Sequence, residues 1–256
     1  MASEFGVALV SGASMGIGLG IAERLAADGF RVALLARESD ELERVAQNIG
    51  NERAIAILCD LTDPDQPAHA VDRVIAWGGR LDVLVNSASA TMNGDVFALS
   101  DEEWVTGFQV KVFGALRLVR AAWPHLRASR GNIVNIAGVG SRTPKASVAM
   151  TSALSSSLIA LTKVFADKGV IDGVRVNAIN PGPVMTPRIL DALDARAKAI
   201  GSTREALLEA MVRDNAITRV GQPSDVAELV SFIISPQANL LHGAIIDLDG
   251  GMTKGL

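Results

Sequence analysis

At 256 residues, 49% hydrophobic and only 4% aromatic, the chain holds enough apolar material for one sizeable core and too little length for two comfortable domains. A formal charge of −4, with Arg and Lys scattered along the sequence, excludes the basic field that a nucleic-acid partner needs. The single cysteine, Cys59, excludes an internal disulfide and reads as a small core residue in a reducing compartment, and tyrosine is absent altogether.

Short β-branched runs alternate with helical stretches. Phe5–Val10 predicts a strand and then a helix to about Asp28; Arg31–Ala36 predicts a strand and a helix to Ile49; Arg53–Cys59 predicts a strand, with a helix from Pro64 to Trp77. Next come a strand over Leu81–Asn86, a long helix opening at Ser100, a strand over Asn132–Ile136 and a helix over Val148–Lys168. A strand over Val174–Ile179, a helix after Pro223 and a last strand over Ala244–Leu248 close the series. Seven strands joined by crossovers predict a single-domain α/β Rossmann-type fold over residues 1–256, a doubly wound, seven-stranded parallel sheet with helices on both faces.

Local signals support these boundaries. Ser100 and Glu103 have the spacing of a capping box, and Ser202 with Glu205 repeats it. Residues 186–218 break the alternation and are the expected substrate lid. The start, Met1-Ala2-Ser3-Glu4-Phe5, has no basic or long apolar stretch, and no uninterrupted apolar run suits a membrane span, so a cytoplasmic protein is expected.

Directly after the first strand stands Ser11-Gly12-Ala13-Ser14-Met15-Gly16-Ile17-Gly18, leading into a helix. A tight turn and close backbone approach to a pyrophosphate both need glycine, and the helix start supplies N–H donors and a positive dipole end. Gly12, Ser14, Met15, Gly16, Ile17 and Gly18 are therefore candidate cofactor contacts. The second strand ends in Ala36 followed by Arg37, where a carboxylate would repel a 2′-phosphate, so NADP is expected over NAD; Glu38 beside Arg37 blunts the field.

With these landmarks the chain resembles the short-chain dehydrogenase/reductase family from its first strand to its C-terminus. The glycine spacing is that family's, and Asp60-Leu61, Asn86-Ser87-Ala88-Ser89, Gly131–Ile136, Arg175–Thr186 and Asp247–Gly251 match further motifs in order. The resemblance implies that Asp60 meets adenine with Leu61 a further cofactor contact beside it, that Asn86 and Ala88 lie near the adenosine ribose, and that Pro181, Gly182, Val184 and Thr186 lie against the nicotinamide end.

Family catalysis relies on an Asn, a Ser, a Tyr and a Lys four residues after the Tyr. The matching positions here are Lys111, Gly138, Thr151 and Ser155, so all four differ. An alkyl hydroxyl ionises far above a phenol, so Thr151 cannot replace the tyrosine unaided. On the helix from Ser100, Thr106, Gln109, Arg117 and Arg120 form a polar stripe, while Lys111 falls about 200° from Gln109, in line with Trp104, Phe108, Ala115, Leu118 and Ala122. Either its stem snorkels to water, or its ammonium replaces the one lost at 155, holding the cofactor or acting as an acid. Ser141, Arg142 and Lys145 are further substrate candidates, and His69, His125 and His242 read as surface or packing residues.

The candidate catalytic residues are thus Lys111, Thr151 and Ser155, with no metal site. An NADP-dependent oxidoreductase with an altered site, reducing a carbonyl or conjugated bond, is the first reading. A catalytically silent NADP-binding sensor or assembly protein is the second, and a lyase or isomerase ranks last. By analogy with the family, and with small residues from Ser152 to Ala160 on the second long helix, a homo-oligomer, tetramer or dimer, is expected.

Overall fold

The computed structural model describes residues 6–37, 39–90 and 96–255. Within them β1 (Val7–Ser11), β2 (Arg31–Ala36), β3 (Ala54–Leu58), β4 (Val83–Asn86), β5 (Asn132–Ile136), β6 (Arg175–Pro181) and β7 (Ile245–Leu248) form one sheet in the order β3-β2-β1-β4-β5-β6-β7. Every neighbouring pair is parallel. The expected fold class is the observed one; Phe5, where the first strand was expected to begin, lies outside the described residues.

Side chains alternate across each strand, so the two faces of β1 feed two cores. Ala8 and Val10 pack with Ile21 and Leu25 of α1 (Gly16–Ala27), Leu42 of α2 (Ser39–Ile49) and Val230 of α9 (Pro223–Ile234). Val7 and Leu9 face Val71 and Val74 of α3 (Gln66–Gly78), Leu118 and Ala122 of α5 (Gly114–Ser129), and Phe165 of α6 (Ala149–Asp172). By length and composition α6 is apolar enough to cross a membrane, yet in the fold its apolar face is part of this core.

The long helix from Ser100 is not one α-helix. α4 (Asp101–Phe108) passes through a π turn, Gln109–Phe113, into α5. Glycines on either side explain the detour. A β-carbon on Gly107 would stand 2.9 Å from Met150 Sδ, and one on Gly114 would stand 2.8 Å from Leu61 Cβ, so both flanks are held tight against neighbours and the extra residue is taken up between them. The Ser100–Glu103 capping box forms as expected, with both reciprocal bonds present.

The second expected box does not form. The segment 186–218 holds α7 (Pro187–Ile200) and α8 (Arg204–Asp214), and the cap of α8 is Thr203, whose hydroxyl accepts from Ala206 N at 3.2 Å. Gly201 ends α7 in a left-handed conformation (φ +66°), and the Ser202 N–H is drawn back to Ala197 O, which moves the cap one residue on.

Candidate functional site

In chain order the sheet grows outward from β1 to β3, then restarts with β4 on the other side of β1. That reversal opens a crevice beyond the carboxyl ends of the strands. The loop after β1 is built for close approach. Gly12 (φ +69°) and Gly16 (φ +60°) are left-handed, and a β-carbon on Gly18 would stand 2.1 Å from Gly12 O. Ser11 fixes this loop to the next strand over: its hydroxyl donates to Val85 O and accepts the N–H groups of Ser87 and Ala88.

A cleft of about 450 Å³ follows, large enough for a small-molecule ligand. Its wall includes most of the residues singled out from sequence: Gly12, Ser14, Met15, Gly16, Ile17 and Gly18; Arg37 at the end of β2; Leu61 and Ala88; Lys111 and Thr151; and Pro181, Gly182, Val184 and Thr186 after β6. Sequence reasoning missed Ser89, Ala137, Pro187, Arg188 and Ile189, which also line it; the first turn of α7 after Thr186 was the available signal for the last three. Cys59 serves the core and borders the cleft as well. Burial, with Asp60 and Asp63 adding to it, pushes its thiol up to about 12, so it is inert.

Three singled-out residues stand elsewhere. Asp60 accepts both the N–H and the hydroxyl of Thr62 at 2.9 Å, closing its own turn rather than reaching the cleft. Asn86 is buried and donates to Asn135 Oδ1 at 2.8 Å, and Asn135 donates on to Thr162, a polar ladder joining β4, β5 and α6. Ser155 is fully buried, and among the described residues its hydroxyl has no partner.

Lys111 does not snorkel. Only 6% exposed, its Nζ donates to Ala137 O at 2.7 Å, just beyond β5. Burial, assisted by the charge of Arg188, lowers its pKa to about 8, within reach of proton exchange near neutrality. The expected polar stripe also holds, since Arg117 donates to Gln109 Oε1 at 2.8 Å across the π turn and to Leu61 O at 2.7 Å. Arg188 Nη2 donates to Ser89 O at 3.2 Å.

The remaining polar candidates are structural. Ser141 donates to Gly138 O at 2.9 Å, Arg142 pairs with Asp247, and Lys145 donates to Asn215 Oδ1; none lines the cleft. Asp247 also accepts from the buried Asn180, whose Oδ1 takes the Gly138 N–H, so this network fixes the strand ends. His242 accepts the Val176 N–H through Nδ1 and bonds Ala166 O through Nε2, which makes it a packing residue, as expected.

The site fits a phosphorylated dinucleotide on its own chemistry. The glycine loop leaves room where a β-carbon would collide, Arg37 stands at the end of β2, and no carboxylate is found among the described cleft-lining residues. Glu38 lies outside the described residues.

Comparison with known proteins agrees with a nicotinamide-dinucleotide site. The family model described as enoyl-(acyl carrier protein) reductase matches residues 12–253. The short-chain reductase protein NovJ of Streptomyces niveus is 33% identical over 252 residues, covering 97% of this chain and 94% of NovJ. The structure of L-sorbose reductase from Gluconobacter frateurii, complexed with NADPH and L-sorbose, superposes with TM-score 0.94 at 29% identity over the whole of both chains. The 3-ketoacyl-(acyl-carrier-protein) reductase from Brucella melitensis, complexed with NADH, superposes with TM-score 0.85 at 28% identity over 97% of this chain and 98% of that one.

Proposed function

The chain belongs to the short-chain dehydrogenase/reductase family, and from that membership we propose that it is an NADP(H)-dependent reductase of a carbonyl or conjugated bond whose proton donor is Lys111. One observation carries the reading: a single buried ammonium, with its pKa lowered to about 8, lines the cleft of a chain that has no tyrosine to donate a proton. When bound, NADPH supplies a hydride to an electron-poor carbon.

Gly12, Gly16 and Gly18 with the start of α1 would hold the pyrophosphate, Arg37 the 2′-phosphate, and Pro181, Gly182, Val184 and Thr186 the nicotinamide end. An ammonium has three donors. One of those on Lys111 goes to Ala137 O, which leaves others for a ribose hydroxyl and for the substrate atom that gains negative charge. Thr151 shares this wall, where its hydroxyl would orient the substrate. Arg188, which lines the cleft from the start of 186–218, supports the reading of that segment as a substrate lid. The apolar side chains exposed on α4–α6, Val105, Phe113, Val164 and Ile171, support a homo-oligomer.

The second reading, a silent NADP-binding protein, is favoured by Ser155, which is fully buried and among the described residues lacks a bonding partner where the family carries its lysine. One experiment separates the two. NADPH binding is followed by fluorescence, and carbonyls and enones are then screened for NADPH consumption between pH 6 and 10. Turnover that falls above about pH 8 and drops on the order of 100-fold or more in Lys111→Met supports the reductase. Binding without turnover on any acceptor supports the silent protein, and turnover unchanged in Lys111→Met removes Lys111 as the acid.

A further inference from the structure

Met15 is the one exposed methionine among the described residues. It is 48% exposed, whereas Met150 is fully buried and Met185, Met211 and Met252 are half-buried. It also lines the cleft. The other sulfur at that wall belongs to Cys59, which is buried and inert. An oxidant that enters the cleft therefore meets one accessible sulfur among the described residues.

The place of that sulfur gives its chemistry a consequence. Met15 is the N-cap residue of α1, with an extended backbone (φ −158°, ψ 170°), and its side chain makes no capping bond; no acidic residue stands in the first turn. The first N–H groups of a helix have no partner within it, so this helix start is open toward the cleft, where Gly16, Ile17 and Gly18 line the wall beside Met15. A thioether is a weak acceptor and leaves those donors to a ligand. A sulfoxide differs: its oxygen is a polar acceptor at the same remove from Cα as the amide oxygen of glutamine, and side-chain oxygens at a cap position take the N–H groups of the first turn. Oxidised Met15 would compete with the pyrophosphate for the same donors and set a polar group in its path.

We propose that Met15 is a site of reversible oxidation by hydrogen peroxide, and that its sulfoxide closes the cleft to the cofactor, a consequence that rests on the NADP(H)-dependent reading above. The thioether sulfur attacks one peroxide oxygen; the O–O bond breaks, an S–O bond forms, and the second oxygen leaves as water. The sulfur is oxidised by two electrons and the peroxide reduced by two. Methionine sulfoxide reductases, one for each sulfoxide epimer, reverse the change. A dinucleotide seated on the loop covers the sulfur, so the chain without cofactor is the sensitive form.

The test follows the modification and the binding separately. The full chain is treated with hydrogen peroxide with and without NADP, and each methionine is followed by peptide mass spectrometry. Met15 is expected to gain oxygen about ten times faster than Met150 or more, and saturating NADP to slow Met15 about tenfold. Once peroxide is removed, fluorescence titration is expected to show NADPH affinity lowered about tenfold, and the two reductases to restore it. Met15→Leu has no sulfur to oxidise at this position, so its affinity, whatever its starting value, is expected to be the same before and after treatment. Untreated Met15→Gln is expected to bind NADPH as weakly as the oxidised parent. If Met15 reacts no faster than Met150, or the oxidised parent binds NADPH as the untreated one does, or Met15→Leu loses as much affinity on treatment as the parent, this inference is overturned and the functional proposal stands. If the untreated parent fails to bind NADPH, the functional proposal falls and this inference falls with it.

Discussion

Ser155 lies directly beneath Gly138: a β-carbon on that glycine would stand 3.1 Å from the Ser155 hydroxyl, and the Lys111 ammonium is bonded one residue away, at Ala137. A lysine at 155 would bring a second ammonium into the same buried region. Ser155→Lys alone is expected to destabilise the protein by about 3 kcal/mol or more. Adding Lys111→Asn should recover most of that loss, because only one buried cation then remains. Urea denaturation of the single and double variants checks this; additive losses would show that the two positions do not share one site.

Lys111 also makes stability depend on pH. Its pKa in the fold is about 8 against an ordinary 10.5, so the unfolded chain binds more protons than the folded one between those values, and stability rises with pH across that window. The penalty is fully present below about pH 8, and a gap of about 2.5 pH units corresponds to about 3 kcal/mol. Lys111→Met is therefore expected to be more stable than the parent at pH 7 by up to about 3 kcal/mol, with the difference closing above pH 10. Denaturation at the two pH values measures it, and no tyrosine titration complicates the upper one.

Gly18→Ala should damage the cofactor loop while leaving the sheet folded. The added carbon would stand 2.1 Å from Gly12 O, a backbone atom that cannot step aside cheaply. Overpacking of this kind costs about 1–3 kcal/mol. Thermal unfolding is expected to show that loss, and NADPH fluorescence titration an affinity reduced at least tenfold.

Much of the fold was legible because its signals are local. β2 and β5 begin and end at the residues expected, since their apolar runs are bounded by turn chemistry. The burial of Lys111 was legible from its place among Trp104, Phe108 and Leu118 on the helical wheel. What sequence reasoning lost depends on residues that meet only in the folded sheet. Asn86, expected near the ribose, donates its side-chain amide to Asn135, 49 residues on, a pairing that only the neighbouring strands β4 and β5 bring about. Arg188 carried no motif of its own, and only the docking of α7 on the cleft makes it a lining residue.

Arg37→Asp tests cofactor choice. The guanidinium is exposed at the end of β2 and borders the cleft, and charge-assisted bonds to a phosphate contribute about 1.5–3 kcal/mol. NADPH affinity is expected to fall at least tenfold and NADH affinity to hold or rise, both followed by fluorescence.

Cys59 should resist thiol reagents in the native protein. With its pKa at about 12, the thiolate fraction at pH 8 is on the order of 10⁻⁴, against about a quarter for an ordinary thiol. A thiol-disulfide dye is expected to react at least 100-fold faster once urea unfolds the chain.

The π turn at Gln109–Phe113 has a genetic corollary. It holds one residue more than an α-helical turn would, so a single-codon deletion within it would let α4 and α5 fuse into one unbroken helix. The flanks, held by Gly107 against Met150 and Gly114 against Leu61, would keep nearly the same facing, but the residues of the turn itself would be re-aimed, and Lys111 would lose Ala137. In this stretch a deletion of one residue should prove more damaging than most substitutions.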